Sequence, residues 1–220
     1  ANDGAARTVE LLGSLDAISV FAVDSTAHSM VPLSSIQGNK AAIISKIRAI
    51  VSMGGGIYVY EGLDAAWQEL EHVNYGQKHI ILFSDAADSE QPGSYKSLIK
   101  DMRAAGATIS VIALGTESDP DAEFLKDIAK RGDGRIFFST EPQDIPAIFA
   151  QETVAVARSA FIEDDVKTVS NNIWSNIADG NMSWLKKING YNLSYLREGA
   201  SNTLLSDDEY ASPLVSWWRR

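Results

Sequence analysis

Short apolar runs alternate with amphipathic segments along the first two thirds of the chain. Four runs are almost continuously apolar, which is typical of strands buried on both faces of a parallel sheet; they are 18–23, 79–84, 108–114 and 135–139. Apolar side chains recur at helical spacing between these runs, first at Leu63, Ala66, Trp67 and Leu70 and then at Tyr95, Leu98, Ile99 and Met102. The pattern predicts strands alternating with helices.

Start and stop signals place the ends of two helices. Asp119 as N-cap and Pro120 as first helical residue are predicted to open a third helix, which ends at Gly132. Ser94 is predicted to cap the second helix, which ends at Gly106. A weaker helix is predicted over 145–150.

One pair of strands departs from the parallel pattern. The residues Asp24-Ser25-Thr26-Ala27 join the run 18–23 to a second strand-like run at 28–33, and such residues are typical of hairpin loops. We therefore predict a doubly wound α/β fold, with a mostly parallel sheet and one antiparallel edge strand.

The amino-acid composition changes after Thr153. Asn, Ser and Gly become frequent, and "RSAFIEDD", "GYNLSYLRE" and "SNTLLSDD" are typical of short strands. We predict an α/β domain over 1–153 and an incomplete β-rich segment over 154–220. Aromatic side chains of this segment either form its core or line a groove for a sugar or peptide; they include Trp174, Trp184, Trp217 and Trp218.

Composition narrows the class of protein. A formal charge of −10 without a basic stripe argues against nucleic acid and anionic membranes as partners. The chain has no cysteine, which excludes disulfides and a cysteine nucleophile within it. No apolar run approaches the roughly 20 residues that span a bilayer. The first residues resemble the middle of a helix, and the final residues show no capping or turn signal. We therefore expect a soluble segment of a longer protein.

The sequence offers few candidate residues for catalysis, phosphate binding or metal binding. The glycines of "SMGGGIYVYEGL" are not followed by the Gly-Lys-Ser/Thr of a phosphate loop. The three histidines, His28, His72 and His79, have no matching nucleophile, and we interpret them as surface or boundary residues. Asp85, Asp88 and Glu90 follow a predicted buried strand and either bind a cation or remain solvated and bonded to loop amides.

The segments "LLGSLDAISVFAVDSTAHSMVPL", "GGGIYVYEGL" and "KHIILFSDAADSE" resemble the von Willebrand factor A domain. The continuation "VARSAFIEDDV", "INGYNLSYLREGASNTLL" and "SPLVSWWRR" is similar to bacterial membrane-anchored members that carry a glutamine-amidotransferase-like domain. The resemblance implies a metal-ion-dependent adhesion site, built from an Asp-x-Ser-x-Ser, a loop threonine and a later aspartate. Here the Asp-x-Ser-x-Ser is absent and Ile57 stands in the threonine position, so only Asp85 matches. We therefore expect no cofactor, and in particular no Mg²⁺.

The resemblance also implies a strand order in which the first strand lies at the centre of the sheet, between 18–23 and 79–84. That strand is absent from the sequence. We therefore predict that these two runs are not paired directly with each other.

The leading functional hypothesis is a non-catalytic protein-interaction module of a bacterial cell-envelope protein, anchored by membrane segments outside this chain. The predicted partner-binding loop residues are Asp24, Ser25, Gly56, Ile57, Tyr58, Ser84, Asp85 and Asp88. The alternative is a fragment of an amidotransferase-like enzyme whose nucleophile lies outside the chain. A protein partner is expected, its identity open; nucleic acid and direct membrane contact are not expected.

Overall fold

The chain forms two units in the computed structural model, Ala1–Ala157 and Arg158–Arg220. The residues that the structure describes are 1–14, 16–51, 56, 58–73, 77–85, 93–158, 161–162, 165–170, 185–192, 194, 196–197, 199–208 and 211–218.

The first unit alternates helices and strands. Its elements in chain order are α1 (Asn2–Leu11), β1 (Ala17–Val23), β2 (Ala27–Ser35), α2 (Lys40–Arg48), α3 (Val59–Leu70), β3 (Lys78–Asp85), α4 (Tyr95–Ala104), β4 (Ala107–Leu114), α5 (Ala122–Arg131), β5 (Ile136–Ser139), a short 3₁₀ turn (Pro142–Asp144) and α6 (Ile145–Arg158). Every strand predicted for this unit is present. Helix α2 was not predicted, and α6 is longer than the predicted 145–150.

The strands of the first unit form two separate ladders. Strands β3, β4 and β5 form a parallel sheet in that order, with His79 beside Thr108 and Asp85 beside Leu114. Strands β1 and β2 pair antiparallel, which confirms the predicted hairpin. Among the described residues β1 does not pair with β3, as predicted for these two runs.

Helices cover both faces of the parallel sheet, which is why its strands are mostly apolar. Helices α3, α4 and α5 pack on one face, through side chains such as Leu63, Ile99 and Leu125. Helix α6 packs through Ile145 and Phe149 on Ile112, whose side chain points to the opposite face. Helices α1 and α2 cover the β1–β2 hairpin, where Val9, Val31 and Ile47 are buried together.

One predicted helix start is wrong. Helix α5 begins at Ala122 after Asp121, and Asp119 does not serve as its N-cap. The Asp119 carboxylate instead accepts hydrogen bonds from the Thr116 N–H at 2.8 Å and the Thr116 hydroxyl at 3.0 Å. The local turn 116–119 therefore engages the carboxylate before the helix begins. At α4 the predicted N-cap position, Ser94, is correct, although its side chain makes no capping bond.

The second unit is built from short strands. They are β6 (Phe161–Ile162), β7 (Val166–Ser170), β8 (Lys187–Ile188), β9 (Tyr191–Asn192), β10 (Ser201–Ser206) and β11 (Pro213–Trp217). Four of them form an antiparallel sheet in the order β11-β10-β7-β8, and β6 pairs with β9. Of the tryptophans predicted to form a core or line a groove, Trp217 is half-buried and Trp218 is 50% exposed. Trp174 and Trp184 lie outside the described residues.

Candidate functional site

Three segments of the first unit lie together near the carboxyl end of β1. The backbone N–H of Tyr58, at the start of α3, donates to the carbonyl of Asp24 at 3.1 Å. Gly93, just before α4, has a φ of +55°, and a Cβ there would lie 2.7 Å from the ring of Tyr60. The ends of β1, α3 and the loop before α4 are therefore joined by a hydrogen bond and by a close approach that admits only glycine.

Helix α3 also approaches β1 closely one turn further on. A Cβ at Gly62 would lie 2.8 Å from Cγ2 of Val23. The glycine lets the helix start sit directly against the strand end, which fixes the position of the Tyr58 segment relative to the hairpin loop.

The carboxylate of Asp24 is engaged within its own hairpin. Its Oδ1 accepts the Thr26 N–H at 2.9 Å, and Nε2 of His28 lies 3.1 Å from each carboxylate oxygen. The hydrogen bond from the Thr26 backbone, and after it that from His28, hold the pKa of Asp24 below its usual value. Asp24 therefore carries a negative charge at this edge at neutral pH, while Ser25 beside it is exposed.

The Asp24–His28–Thr26 group does not form a nucleophile relay. The Thr26 hydroxyl lies 3.1 Å from Nε2 of His28, the same ring nitrogen that contacts Asp24. A relay needs the carboxylate and the hydroxyl on opposite ring nitrogens, so that one orients the ring while the other gives up its proton. The group instead stabilises the turn.

Ser84 and Asp85 end strand β3. Ser84 is buried, and its hydroxyl donates to the backbone carbonyl of Asp85 at 2.8 Å. Oδ1 of Asp85 is buried and has no hydrogen-bond partner among the described residues. A buried carboxylate oxygen without a partner is costly, and a cation is one of the groups able to satisfy it.

The described donor set does not fit a tightly bound divalent cation. No group of three or more His, Asp or Glu side chains within the described ranges is placed to hold a metal. Mg²⁺ needs near-octahedral oxygen ligands, and here Asp85 offers a single carboxylate while the Ser84 hydroxyl is turned toward its own backbone. Of the remaining predicted site residues, Gly56 is half-buried, and Ile57 and Asp88 lie outside the described residues.

A buried polar network lies away from this edge and was missed from the sequence. Glu152 on α6 is 1% exposed. Its Oε1 accepts the Ser110 hydroxyl at 2.7 Å, and its Oε2 lies 2.7 Å from Nη2 of Arg135. His79 contributes Nε2 at 3.4 Å from Oε1, while its Nδ1 lies 2.6 Å from the Thr108 hydroxyl. His79 is half-buried, as expected of a boundary histidine, but its contacts with Glu152 and Thr108 were not predicted from the sequence.

The network keeps Glu152 ionised. Burial by itself raises the pKa of Glu152, but the contact with His79, the hydrogen bond from Ser110 and the charge of Arg135 outweigh it and hold the pKa below its usual value. Glu152 is the one acidic residue in the otherwise mostly apolar stretch "IPAIFAQETVAVA", and that was the only signal in the sequence. Ser110 donates to the carboxylate and not to His79, so the network contains no activated nucleophile.

The fold and the strand-end edge define a class of protein. Residues 6–151 match the model of the von Willebrand factor type A domain, and the chain belongs to that family. Domains of this family generally mediate protein–protein interactions. No curated protein matches the chain.

Solved structures share the fold at low sequence identity. A von Willebrand factor type A protein from Catenulispora acidiphila is 15% identical with a TM-score of 0.64, over 94% of this chain and 57% of that one. An aerotolerance-related membrane protein from Bacteroides fragilis is 13% identical with a TM-score of 0.55, over 70% and 86%. Proximal thread matrix protein 1 from mussel byssus, solved with a zinc-occupied MIDAS motif, is 20% identical with a TM-score of 0.57, over 70% and 39%. The chain thus spans little more than half of the first of these proteins.

Proposed function

We propose that the first unit is a non-catalytic module that binds a protein partner through the loops beside the strand ends. The observation that carries this is the joining of the Asp24, Tyr58 and Gly93 segments into one edge by a 3.1 Å hydrogen bond and a glycine-only contact. Membership of a family whose domains generally bind proteins supports it. The histidine arrangements described above give this edge no activated nucleophile.

We propose in addition that the chain is part of a larger bacterial cell-envelope protein with a membrane anchor. The likeness to a membrane protein of Bacteroides fragilis supports this setting. None of the helices in the described part of the chain is long and apolar enough to cross a bilayer. Residues 154–220 are proposed as the start of an amidotransferase-like domain, on the residue resemblance alone.

The open edges of β1 and β3 support a further strand from the parent protein. Each of these strands is paired on one side only among the described residues, and all seven residues of β1 are half-buried. An unpaired strand edge readily pairs with another strand because its N–H and C=O groups otherwise lack hydrogen-bond partners. The parent reading frame upstream tests this: an apolar run of strand length there supports it, and the absence of such a run contradicts it.

A metal titration tests the proposal that the adhesion site is degenerate. Titrating the chain with Mg²⁺ or Mn²⁺ is expected to give no saturable heat up to about 1 mM, because one carboxylate is a poor site for a hard cation. Asp85→Ala serves as the matched variant and should give the same trace. A micromolar site in the unchanged chain that Asp85→Ala abolishes would show that the adhesion site is functional.

Site-specific photo-crosslinking tests the binding edge. A photoreactive phenylalanine analogue at Tyr58, where α3 begins, is expected to give a discrete crosslinked product in cell-envelope extract of the source organism. The same analogue at His72, just past the far end of α3 and largely exposed, is the control and should give none. Product formation at His72 alone, or at neither position, would place binding elsewhere than at the strand ends.

A further inference from the structure

A basic groove runs between α4 and α5 on the helical face of the first unit. Lys96, Lys100 and Arg103 line it at spacings of four and three residues along α4, and Arg131 closes it from the last turn of α5. Its floor is Ile99, which is 0% exposed, and its volume is about 370 Å³. Residues spaced by four and three lie on one side of a helix, so the three α4 cations form a short basic stripe, and the expectation of a chain without one is wrong at this helix.

The groove holds more positive than negative charge. Nη2 of Arg103 lies 2.6 Å from the Asp133 carboxylate, and Nε of Arg131 lies 2.6 Å from that of Asp127. The Lys96 ammonium lies 5.7 Å from the centroid of the Tyr95 ring and has no ion pair among the described residues. Lys100 likewise has no ion pair in the described part of the chain. The groove thus carries four cations against the carboxylates of Asp127 and Asp133, the first of which also interacts with the charge of Lys96, on a chain whose formal charge is −10.

Such a concentration of one sign in a concave surface attracts the opposite charge. Low-dielectric walls focus the field of the lysines into the groove, and the acidic remainder of the chain repels anions from most other places. Arg103 and Arg131 already donate to carboxylates, those of Asp133 and Asp127, at 2.6 Å. Carboxylates are therefore suitable partners for the cations of this groove.

The dimensions of the stripe favour an elongated ligand. Lys96 and Arg103 are separated by about 10 Å along the helix axis, and Lys96 and Lys100 by about 6 Å, at 1.5 Å per residue. Alternate side chains of an extended peptide are about 6.6 Å apart on one side. A single phosphate needs donors that converge on one point, and an anionic membrane needs a broad basic surface on a chain that is not strongly acidic. An extended acidic peptide matches both the separation of Lys96 and Lys100 and the concave shape of the groove.

We propose that the groove between α4 and α5 binds an extended acidic segment of a partner protein, with carboxylates at alternate positions that pair with Lys96 and Lys100. Arg103 and Arg131 flank the segment, and Ile99 lies beneath the groove as part of the core. The proposal rests on the side chains of α4 and α5 and does not depend on the strand-end loops as a binding site.

Fluorescence anisotropy of the full chain with labelled twelve-residue peptides tests this. The probe is an alternating Glu-Ser peptide, and the comparison peptides are its Gln-Ser counterpart and one with the same six glutamates in a single block. The alternating peptide is expected to bind in the micromolar range, more tightly than the block peptide, with no binding of the Gln-Ser peptide. Affinity should fall as NaCl rises from 0.05 to 0.5 M because exposed charges are screened.

Matched charge reversals separate the groove from general electrostatics. Lys100→Glu is expected to weaken binding of the alternating peptide at least tenfold, and Lys96→Glu combined with Lys100→Glu to abolish it. Lys46→Glu changes the net charge equally at an exposed helical lysine elsewhere in the same unit, and should change affinity less than twofold. An equal loss in Lys46→Glu, or equal binding of the block peptide, would overturn the proposal.

Two further outcomes would also overturn it. One is binding of inorganic phosphate or phosphatidylserine vesicles that Lys100→Glu removes while the acidic peptide does not bind, since the groove would then recognise a different ligand. The other is the absence of any peptide binding to the unchanged chain at 0.05 M NaCl.

Discussion

Replacing Glu152 with alanine is expected to lower the free energy of unfolding of the first unit by about 1–3 kcal/mol, the cost of leaving a buried donor without its acceptor. The side chain is 1% exposed and joins α6 to the parallel sheet through Ser110, Arg135 and His79. Removing it leaves a cavity and deprives the buried Ser110 hydroxyl of its acceptor. Denaturant unfolding followed by far-UV circular dichroism measures the loss.

Two variants separate the ionic network from the volume of the side chain. Glu152→Gln keeps the size and an acceptor for Ser110 but removes the charge, so its cost should be smaller than that of alanine. Glu123→Ala removes a carboxylate whose side chain is 87% exposed, and the loss of its pairing with Lys126 should change the free energy of unfolding little, because solvent screens exposed ion pairs. A loss in Glu152→Ala no larger than that in Glu123→Ala would mean that the network does not stabilise the fold.

The same network makes stability depend on pH in acid. The pKa of Glu152 is held below its ordinary value of 4.5 in the folded chain. Its contribution is therefore present above about pH 4.5 and is lost as pH falls through the folded pKa, because the unfolded chain then binds the proton more readily. Stability measured from pH 7 to pH 3 should show this acid loss in the unchanged chain, and a smaller loss in Glu152→Gln.

The secondary structure was largely predictable because both faces of the parallel sheet are covered. Strands such as β4 need apolar residues on both sides, and this leaves a continuous apolar run that no surface strand would show. Helix α2 escaped prediction because only two of its nine residues, Ile43 and Ile47, are buried, too few to make a clear stripe. The start of α5 was misplaced because Asp119 bonds to a local turn, which is a competing use of the same cap-forming residue.

The candidate site was predictable only in part. A resemblance to a family motif placed Asp85 at a strand end, and the structure adds that one of its oxygens is buried without a partner among the described residues. The contact between Tyr58 and Asp24 joins positions 34 apart in sequence, and spacing alone does not reveal such a meeting. Glu152 was hidden for the same reason, since its partners Ser110 and Arg135 lie on different strands or strand starts and meet it only in the folded chain.

The contacts of His79 with this network could not be predicted from the sequence around it. A histidine at the start of a strand is usually solvated, and nothing local to "QKHIIL" indicates otherwise. In the fold its ring is held between Thr108 on the neighbouring strand and Glu152 on the covering helix. Long-range contacts of this kind decide burial, and a single sequence does not contain them in readable form.

Trp67 is expected to be the most costly aromatic side chain to remove from the first unit. It is 9% exposed and packs in the main core with residues that include Leu63, Met102 and Ile80. Lys78 covers it, with the ammonium 5.7 Å from the ring centroid. The sequence predicted this burial from the helical spacing of Leu63, Trp67 and Leu70, and the structure confirms it.

Trp67→Ala is therefore expected to cost about 3–5 kcal/mol, because a large cavity opens between α3 and the sheet and the surrounding side chains close it only in part. That is a large share of the roughly 5–15 kcal/mol by which a domain is stable. Trp218→Ala makes the same chemical change at a side chain that is 50% exposed in the second unit, and it should leave the unfolding transition of the first unit unchanged. Trp67→Phe keeps part of the ring and should cost less than alanine. An unchanged denaturation midpoint in Trp67→Ala would mean that the face of α3 that carries Leu63 and Trp67 does not bear on the sheet in solution.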